Sequence, residues 1–256
     1  TLGSGTIHNN DTYSVLYVGS SKNTGFELSE TGLNAVWVNL DDNSQSLSIV
    51  GSVNVNGDLH HNTGMLNING SDLTINGDYM AMSGAMLQGS ATSNLMIVHS
   101  GNLSSSLVWD ASSDAMNNVW IDNDGGSVTL GSDLSINGTL TLEDGDFSVA
   151  SGNTLTMQAG SEIEVGDGYL VADASDFDGT ANYSVTYYGS TSTTTGLELT
   201  GSGMNNLTIN MMNETDSVEI MGNLDINGTF ELQNGNFDMN GYDVNIDGSM
   251  NLSSTG

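Results

Sequence analysis

The chain of 256 residues carries 31 acidic side chains against one basic side chain, Lys22, for a formal net charge of −30. Binding to nucleic acid or to an anionic membrane surface needs Lys and Arg against phosphate, so both partners are excluded, and internal ion pairing is limited to Lys22. Absent cysteine removes disulfides and thiol chemistry, and no apolar run approaches the roughly 18 residues of a membrane-spanning helix.

Hydrophobic residues make up 37% of the chain and come in pairs rather than runs, so the core should be a thin, continuous column. The absence of proline fits a backbone whose N–H groups are nearly all wanted by strand ladders. Abundant Gly, Asn, Ser and Thr would also suit disorder, but the apolar pairs are too regular for that reading. The first residue is not Met, no signal peptide is visible, and the chain starts and stops within its repeat pattern. A processed chain or a segment of a longer one is expected to look this way.

In chain order, the first apolar pairs fall at Val15/Tyr17, Phe26/Leu28, Val36/Val38 and Leu47/Ile49, about ten residues apart, which implies longer loops between them. A tighter phrase follows. Val53-Asn54-Val55-Asn56-Gly57 recurs as Leu66-Asn67-Ile68-Asn69-Gly70 and Leu73-Thr74-Ile75-Asn76-Gly77, then as Leu134-Ser135-Ile136-Asn137-Gly138 and Leu224-Asp225-Ile226-Asn227-Gly228. Period-two alternation punctuated by Asn-Gly predicts very short half-buried strands joined by tight turns. Later pairs at Leu140/Leu142, Phe147/Val149, Leu155/Met157 and Ile163/Val165 match Phe230/Leu232, Phe237/Met239, Val244/Ile246 and Met250/Leu252.

A longer period lies above the short one. Leu33-Asn34-Ala35-Val36-Trp37-Val38 matches Met116-Asn117-Asn118-Val119-Trp120-Ile121 and Met204-Asn205-Asn206-Leu207-Thr208-Ile209, and Tyr13-Ser14-Val15-Leu16-Tyr17 matches Tyr183-Ser184-Val185-Thr186-Tyr187. The chain thus reads as one continuous domain over 1–256, with three super-repeats near 13–92, 93–182 and 183–256. The predicted fold class is all-β, a parallel β-solenoid. Three strands per coil of about twenty residues suit a triangular β-helix, and a two-sided β-roll is the other cross-section.

Asn137-Gly138-Thr139-Leu140-Thr141-Leu142 and Asn227-Gly228-Thr229-Phe230-Glu231-Leu232 resemble the β-solenoid repeats of large secreted bacterial surface proteins, of adhesin or filament type from Bacteroidota-like organisms. The resemblance implies an extracellular location and a structural or adhesive role. It brings no catalytic residues with it.

Candidate sites are few. Asp173, Asp176 and Asp178, and Asp122 with Asp124, place oxygen donors in glycine-bearing loops as Ca²⁺ would need, although Asp and Gly are also ordinary turn formers and no bound ion is required by the fold. Coils stack about 4.8 Å apart. Carboxylates aligned at that spacing repel by roughly 1 kcal/mol even in water, so small cations must balance this surface. Glu162 and Glu164 flank the inward Ile163 and could form the carboxylate pair of a glycosidase, or simply a solvated acidic strand face. His60 and His61 are adjacent, and alignment with Leu142 and Leu232 turns His61 inward; a metal site would need more ligands. Trp37 and Trp120 occupy matching places and should point outward, toward a glycan, a protein or a covering loop, with Trp109 and Tyr188 near the same patches. Thr139/Thr141 and Thr154/Thr156 do not recur coil after coil as an ice-binding ladder would. Glycosylation sequons such as those at Asn10, Asn69 and Asn137 are numerous in so Asn-rich a chain.

The expected function is that of an extracellular structural protein, the stiff acidic shaft of an adhesin or a filament whose copies associate end to end, and not an enzyme. A carbohydrate-binding module recognising surface glycans, or a polysaccharide-degrading β-helix, are the alternatives.

Overall fold

The computed structural model describes residues 12–28 and 31–253; His8 and Asn10 lie outside them. Two consecutive coils give the plan. Leu59–Thr63, Met65–Asn67 and Asp72–Ile75 form three sides of one coil, and Tyr79–Ala81, Met86–Gln88 and Asn94–Ser100 form the next. Each strand pairs in parallel with its counterpart one coil on. The fold is a parallel β-solenoid of about 11 turns with about 22 residues each, slightly more than the twenty expected. The excess sits in corners such as residues 41–45, which are longer than two or three residues.

Inward pairs fill the interior as period-two alternation requires. Leu66 and Ile68, Leu140 and Leu142, and Ile163 and Val165 are buried in one core that runs the length of the molecule. One side is an unbroken ladder from Val53–Val55 to Met250–Leu252. A second begins with Tyr13–Gly19, Leu33–Leu40, Leu59–Thr63 and Tyr79–Ala81, and a third with Lys22–Asn23, Ser46–Ser48, Met65–Asn67 and Met86–Gln88. One expected strand is absent: Phe26–Leu28 is a 3-10 turn, with Leu28 buried, Phe26 exposed and Glu27 bent back toward Tyr17.

The super-repeats do not superpose by simple translation. The segments holding Trp120 and Thr208 lie on the unbroken side, whereas Trp37 lies on the side that starts with Tyr13–Gly19. The first copy is therefore rotated by one side of the triangle. The strand word is the same on every side, so the repeat survives the rotation.

Of the five recurring Asn-Gly phrases, Asn69-Gly70 is a tight turn with positive φ at both residues, whereas none of Gly57, Gly77, Gly138 or Gly228 has a positive φ. Glycine is needed there for space: a Cβ on Gly77 would lie 2.4 Å from the Gly57 carbonyl carbon, one coil back. The asparagine fastens the same corner. Asn76 Nδ2 donates to the Val55 carbonyl at 3.2 Å, Asn137 Nδ2 to Met116 at 3.2 Å and Asn227 Nδ2 to Met204 at 2.9 Å. Each phrase clamps its coil onto the one before.

Among the buried polar residues, His61 and Asn123 stand where the other copies carry apolar side chains. His61 is fully buried where its counterparts Leu142 and Leu232 also point inward. Its Nε2–H donates to the Gly64 carbonyl at 3.0 Å, which leaves Nδ1 to accept from the Tyr79 hydroxyl at 3.1 Å. Asn123 is also fully buried, but neither its side-chain oxygen nor its nitrogen has a partner. Leu40 and Met211 hold the same place in the other copies and are buried.

Two outcomes follow from these positions. Asn123→Leu should stabilise the fold by about 1–3 kcal/mol, since it removes an unpaired buried amide; a lower unfolding midpoint would show that the amide has a partner. Burial pushes the His61 imidazole from its usual 6.5 down to about 4. The unfolded chain therefore binds the extra proton between those values, and stability falls as pH drops through that window, by up to about 3 kcal/mol. Denaturant titrations at pH 7 and pH 4.5 should show His61→Leu flattening this part of the profile; an unchanged slope would refute the assignment.

Candidate functional site

The acidic loops do not close into cages. Asp173 is exposed, Asp178 accepts hydrogen bonds from Thr180 N and Oγ1 at 3.0 and 2.7 Å, and Asp176 is buried with Oδ1 bound by Ser175 and Oδ2 unpartnered. Asp122 is half-buried opposite Asp144 of the next coil, and Asp124 is exposed. Burial, then the charges of Glu143, Asp144 and Asp124, raise the pKa of Asp122. Among the described residues no three His, Asp or Glu side chains gather as a metal ion would need.

Several acids elsewhere face donors on a neighbouring coil, although Glu219 lies opposite Asp238. Glu162 accepts from Thr186 at 2.7 Å and Glu164 from Thr141 at 3.0 Å, so both carboxylates flanking Ile163 are engaged across coils. Asp72 accepts from Asn94 at 2.6 Å and Ser52 at 2.8 Å, and these bonds hold its pKa below the ordinary carboxylate value. Asp167 accepts from Ser190 at 2.6 Å and Thr191 at 2.9 Å.

The tryptophans divide. Trp37 points outward, but one indole face lies parallel to the His60 ring, with centroids 4.6 Å apart and planes 3° apart. That spacing is close to the distance between adjacent strands, so the rings stack along the solenoid axis and turn their edges to solvent. Trp120 lies half-buried on another side, between Met96 and Thr141. Trp109 is buried, and Tyr188 donates to Glu143 Oε2 at 2.5 Å. No shared aromatic patch joins Trp37 to Trp120.

A feature that sequence reading missed occurs twice. Tyr183 donates to the Glu198 carbonyl at 2.8 Å, while Tyr187 OH and Gly196 N–H donate to Glu198 Oε1 at 2.5 and 2.7 Å. At the other end Tyr13 donates to the Glu27 carbonyl, and Tyr17 OH and Gly25 N–H donate to Glu27 Oε1, all at 2.8 Å. Each clasp holds a 3-10 turn, Phe26–Leu28 or Leu197–Leu199, against the strand carrying its tyrosines. The signal was present as Gly25-Phe26-Glu27-Leu28 and Gly196-Leu197-Glu198-Leu199 downstream of the paired tyrosines.

The two carboxylates shift in opposite directions. Glu198 is almost fully buried, and burial raises its pKa against the hydrogen bonds of Tyr187 and Gly196. Burial of Glu27 is partial and also raises its pKa, but the bonds from Tyr17 and the backbone outweigh it and the net shift is downward. The inner clasp borders a break in the wall: Tyr169–Val171 pairs only with the preceding coil, and Thr193–Thr194 only with the following one. A cleft of about 530 Å³ opens there, lined by Tyr169, Val171, Thr194, Leu197, Glu198 and Met221.

No protein-family model, curated protein or solved structure matches the chain.

Removing the phenol of the inner clasp leaves a buried carboxylate short of a donor. Tyr187→Phe should cost about 2 kcal/mol at pH 7 and progressively less toward pH 4, where the carboxyl is protonated in both states. Tyr17→Phe, beside the more exposed Glu27, should cost less. Unfolding midpoints at both pH values check this, and equal losses at the two would contradict it.

Proposed function

We propose that this chain is a non-enzymatic structural element, the stiff acidic shaft of an extracellular surface protein or filament. The observation that carries the reading is the ladder from Val53–Val55 to Met250–Leu252, whose backbone hydrogen bonds run along the solenoid axis without interruption. Axial hydrogen bonds on several sides, with a continuous core behind them, resist bending. The net charge of −30 repels neighbouring shafts laterally and keeps them apart in solution. The extracellular setting rests on the resemblance of the Asn-Gly-Thr-Leu-x-Leu phrases to secreted surface repeats.

The ends of such a shaft are the places where association is favoured, because a terminal coil has no neighbour to accept its ladder bonds. Cations in the surrounding medium reduce repulsion between coils and between shafts without needing a dedicated site.

Small-angle scattering and electron microscopy should give rigid rods of about 5 nm per chain, from about 11 turns at the usual strand spacing. The thermal midpoint should rise as NaCl is raised or millimolar Ca²⁺ or Mg²⁺ is added. A flexible or globular particle, or a midpoint indifferent to salt, would count against the shaft reading.

A further inference from the structure

We infer that the cleft beside the inner clasp binds an organic cation, a primary ammonium group carried on an alkyl chain, with Glu198 as its counter-charge. This goes beyond the shaft reading and does not rest on it.

The cleft exists because one coil underfills its wall. Phe147 and Leu170 are paired on the two coils below it and are buried, and Val218 is buried in the coil above. Between them the chain supplies Thr193, opposite Val218, and a threonine fills less space than leucine or phenylalanine. Leu197–Leu199 then forms its 3-10 turn, and Tyr169–Val171 gains no strand on that edge. The remaining space of about 530 Å³ falls within the range of small-ligand sites. Tyr169, Val171 and Met221, three of its lining residues, are 44%, 46% and 54% exposed, an apolar surface open to solvent.

The lining also holds a carboxylate with an oxygen to spare. Glu198 lines the cleft and is only 3% exposed. Tyr187 and Gly196 both donate to Oε1, and its own backbone N–H also bonds the carboxyl. No other described residue donates to Oε2. A Cβ on Gly196 would lie 2.8 Å from Oε2, so the glycine leaves room for that oxygen. Nothing basic in the chain answers the charge, because Lys22 is the only such side chain and it donates to the distant Val18 carbonyl. A buried carboxylate lacking a counter-charge is costly, so a cation gains more here than on the open surface.

The walls decide which cation fits. Ca²⁺ or Mg²⁺ needs about six oxygen ligands. The side chains of Leu170, Leu197, Leu199 and Ile220 offer none, and no three acidic or histidine side chains gather among the described residues. An alkylammonium satisfies both halves of the site: its N–H groups donate to Oε2 and its chain lies against the apolar walls. Asp146, the other acid of the lining, is half-buried and adds to the attraction, and Tyr169 supplies an aromatic ring. A free amine and a lysine side chain of a partner protein share this chemistry, and the net charge of −30 draws in either.

Calorimetric titration with pentylammonium chloride, in about 150 mM NaCl to screen the surface, should show one site per chain with Kd below about 1 mM. Glu198→Gln keeps an acceptor oxygen for Tyr187 and Gly196 but removes the charge, and should weaken binding at least about tenfold. 1-Pentanol, the same chain without the charge, should bind the unmodified protein at least about tenfold more weakly. A Cβ on Gly222, which lines the cleft, meets nothing within 4 Å. Gly222→Phe should therefore fold and obstruct the site, which keeps the inference testable should Glu198→Gln fail to fold. Tighter binding of Nα-acetyl-lysine methylamide than of pentylammonium would assign the lysine of a partner, and the reverse a free amine. Unchanged affinity in both variants, or many weak sites, would show pentylammonium acting only as a counterion of the acidic surface and overturn the inference. Absence of binding at about 10 mM would overturn it too. Neither failure touches the rod shape on which the shaft reading is tested.

Discussion

Everything in this molecule is subordinate to the distance between successive coils, which a parallel ladder fixes at about 4.8 Å. Strand centres meet that distance easily, but corners do not, because a corner residue with a side chain stands in the way of the coil above. Gly77 illustrates the constraint, since any Cβ there would overlap the Gly57 carbonyl. The neighbouring asparagine fastens the corner twice. Its backbone N–H and its side-chain amide both donate to one carbonyl of the preceding coil, so the turn is held to the strand end beneath it by two bonds from one residue. Many short strands, each marginal alone, are thereby held in one continuous stack.

The same spacing governs how so acidic a chain can fold. Two carboxylates aligned on successive coils would repel, and the sequence largely avoids the arrangement by alternating acids with donors along the axis. Thr141 with Glu164, Glu162 with Thr186, Asp72 with Asn94 and Asp167 with Ser190 are all contacts between neighbouring coils. The Ser, Thr and Asn content that superficially suggests disorder is in large part this set of partners. Asp122 opposite Asp144 and Glu219 opposite Asp238 are exceptions, and at Asp122 burial and then the like charges around it hold the carboxyl above its ordinary pKa.

The axial plan was legible in the sequence because period-two pairs such as Leu66/Ile68 and Ile163/Val165 record which way each side chain must face. His61 was legible for the same reason, being aligned with two inward leucines. What could not be read is whatever the strand word leaves unchanged. The word is identical on all three sides, so nothing in it reveals that the Trp37 copy is rotated relative to the Trp120 copy. Phe26/Leu28 mimics an inward pair, but the bond between Tyr17 and Glu27 bends the segment into a 3-10 turn. A contact between a strand and a later loop has no period, so the Tyr–Glu clasps left no periodic trace. The acidic loop is a different case: Asp173, Asp176 and Asp178 are close in sequence, yet Asp178 accepts from Thr180 and Asp176 from Ser175, and Asp176 Oδ2 has no partner.

The corner clamps also bear on how this protein ages. An Asn-Gly pair is ordinarily the dipeptide most prone to deamidation, because the glycine nitrogen attacks the asparagine side-chain carbonyl to give a succinimide. Here the Gly138 and Gly228 nitrogens donate to the Asn117 and Asn205 carbonyls at 2.7 and 2.6 Å, and the Asn137 and Asn227 amides are tied to Met116 and Met204. Both reactants are immobilised by the coil beneath them. Cyclisation then requires a corner to open, and isoaspartate accumulating at these positions becomes a chemical clock that counts how often adjacent coils part.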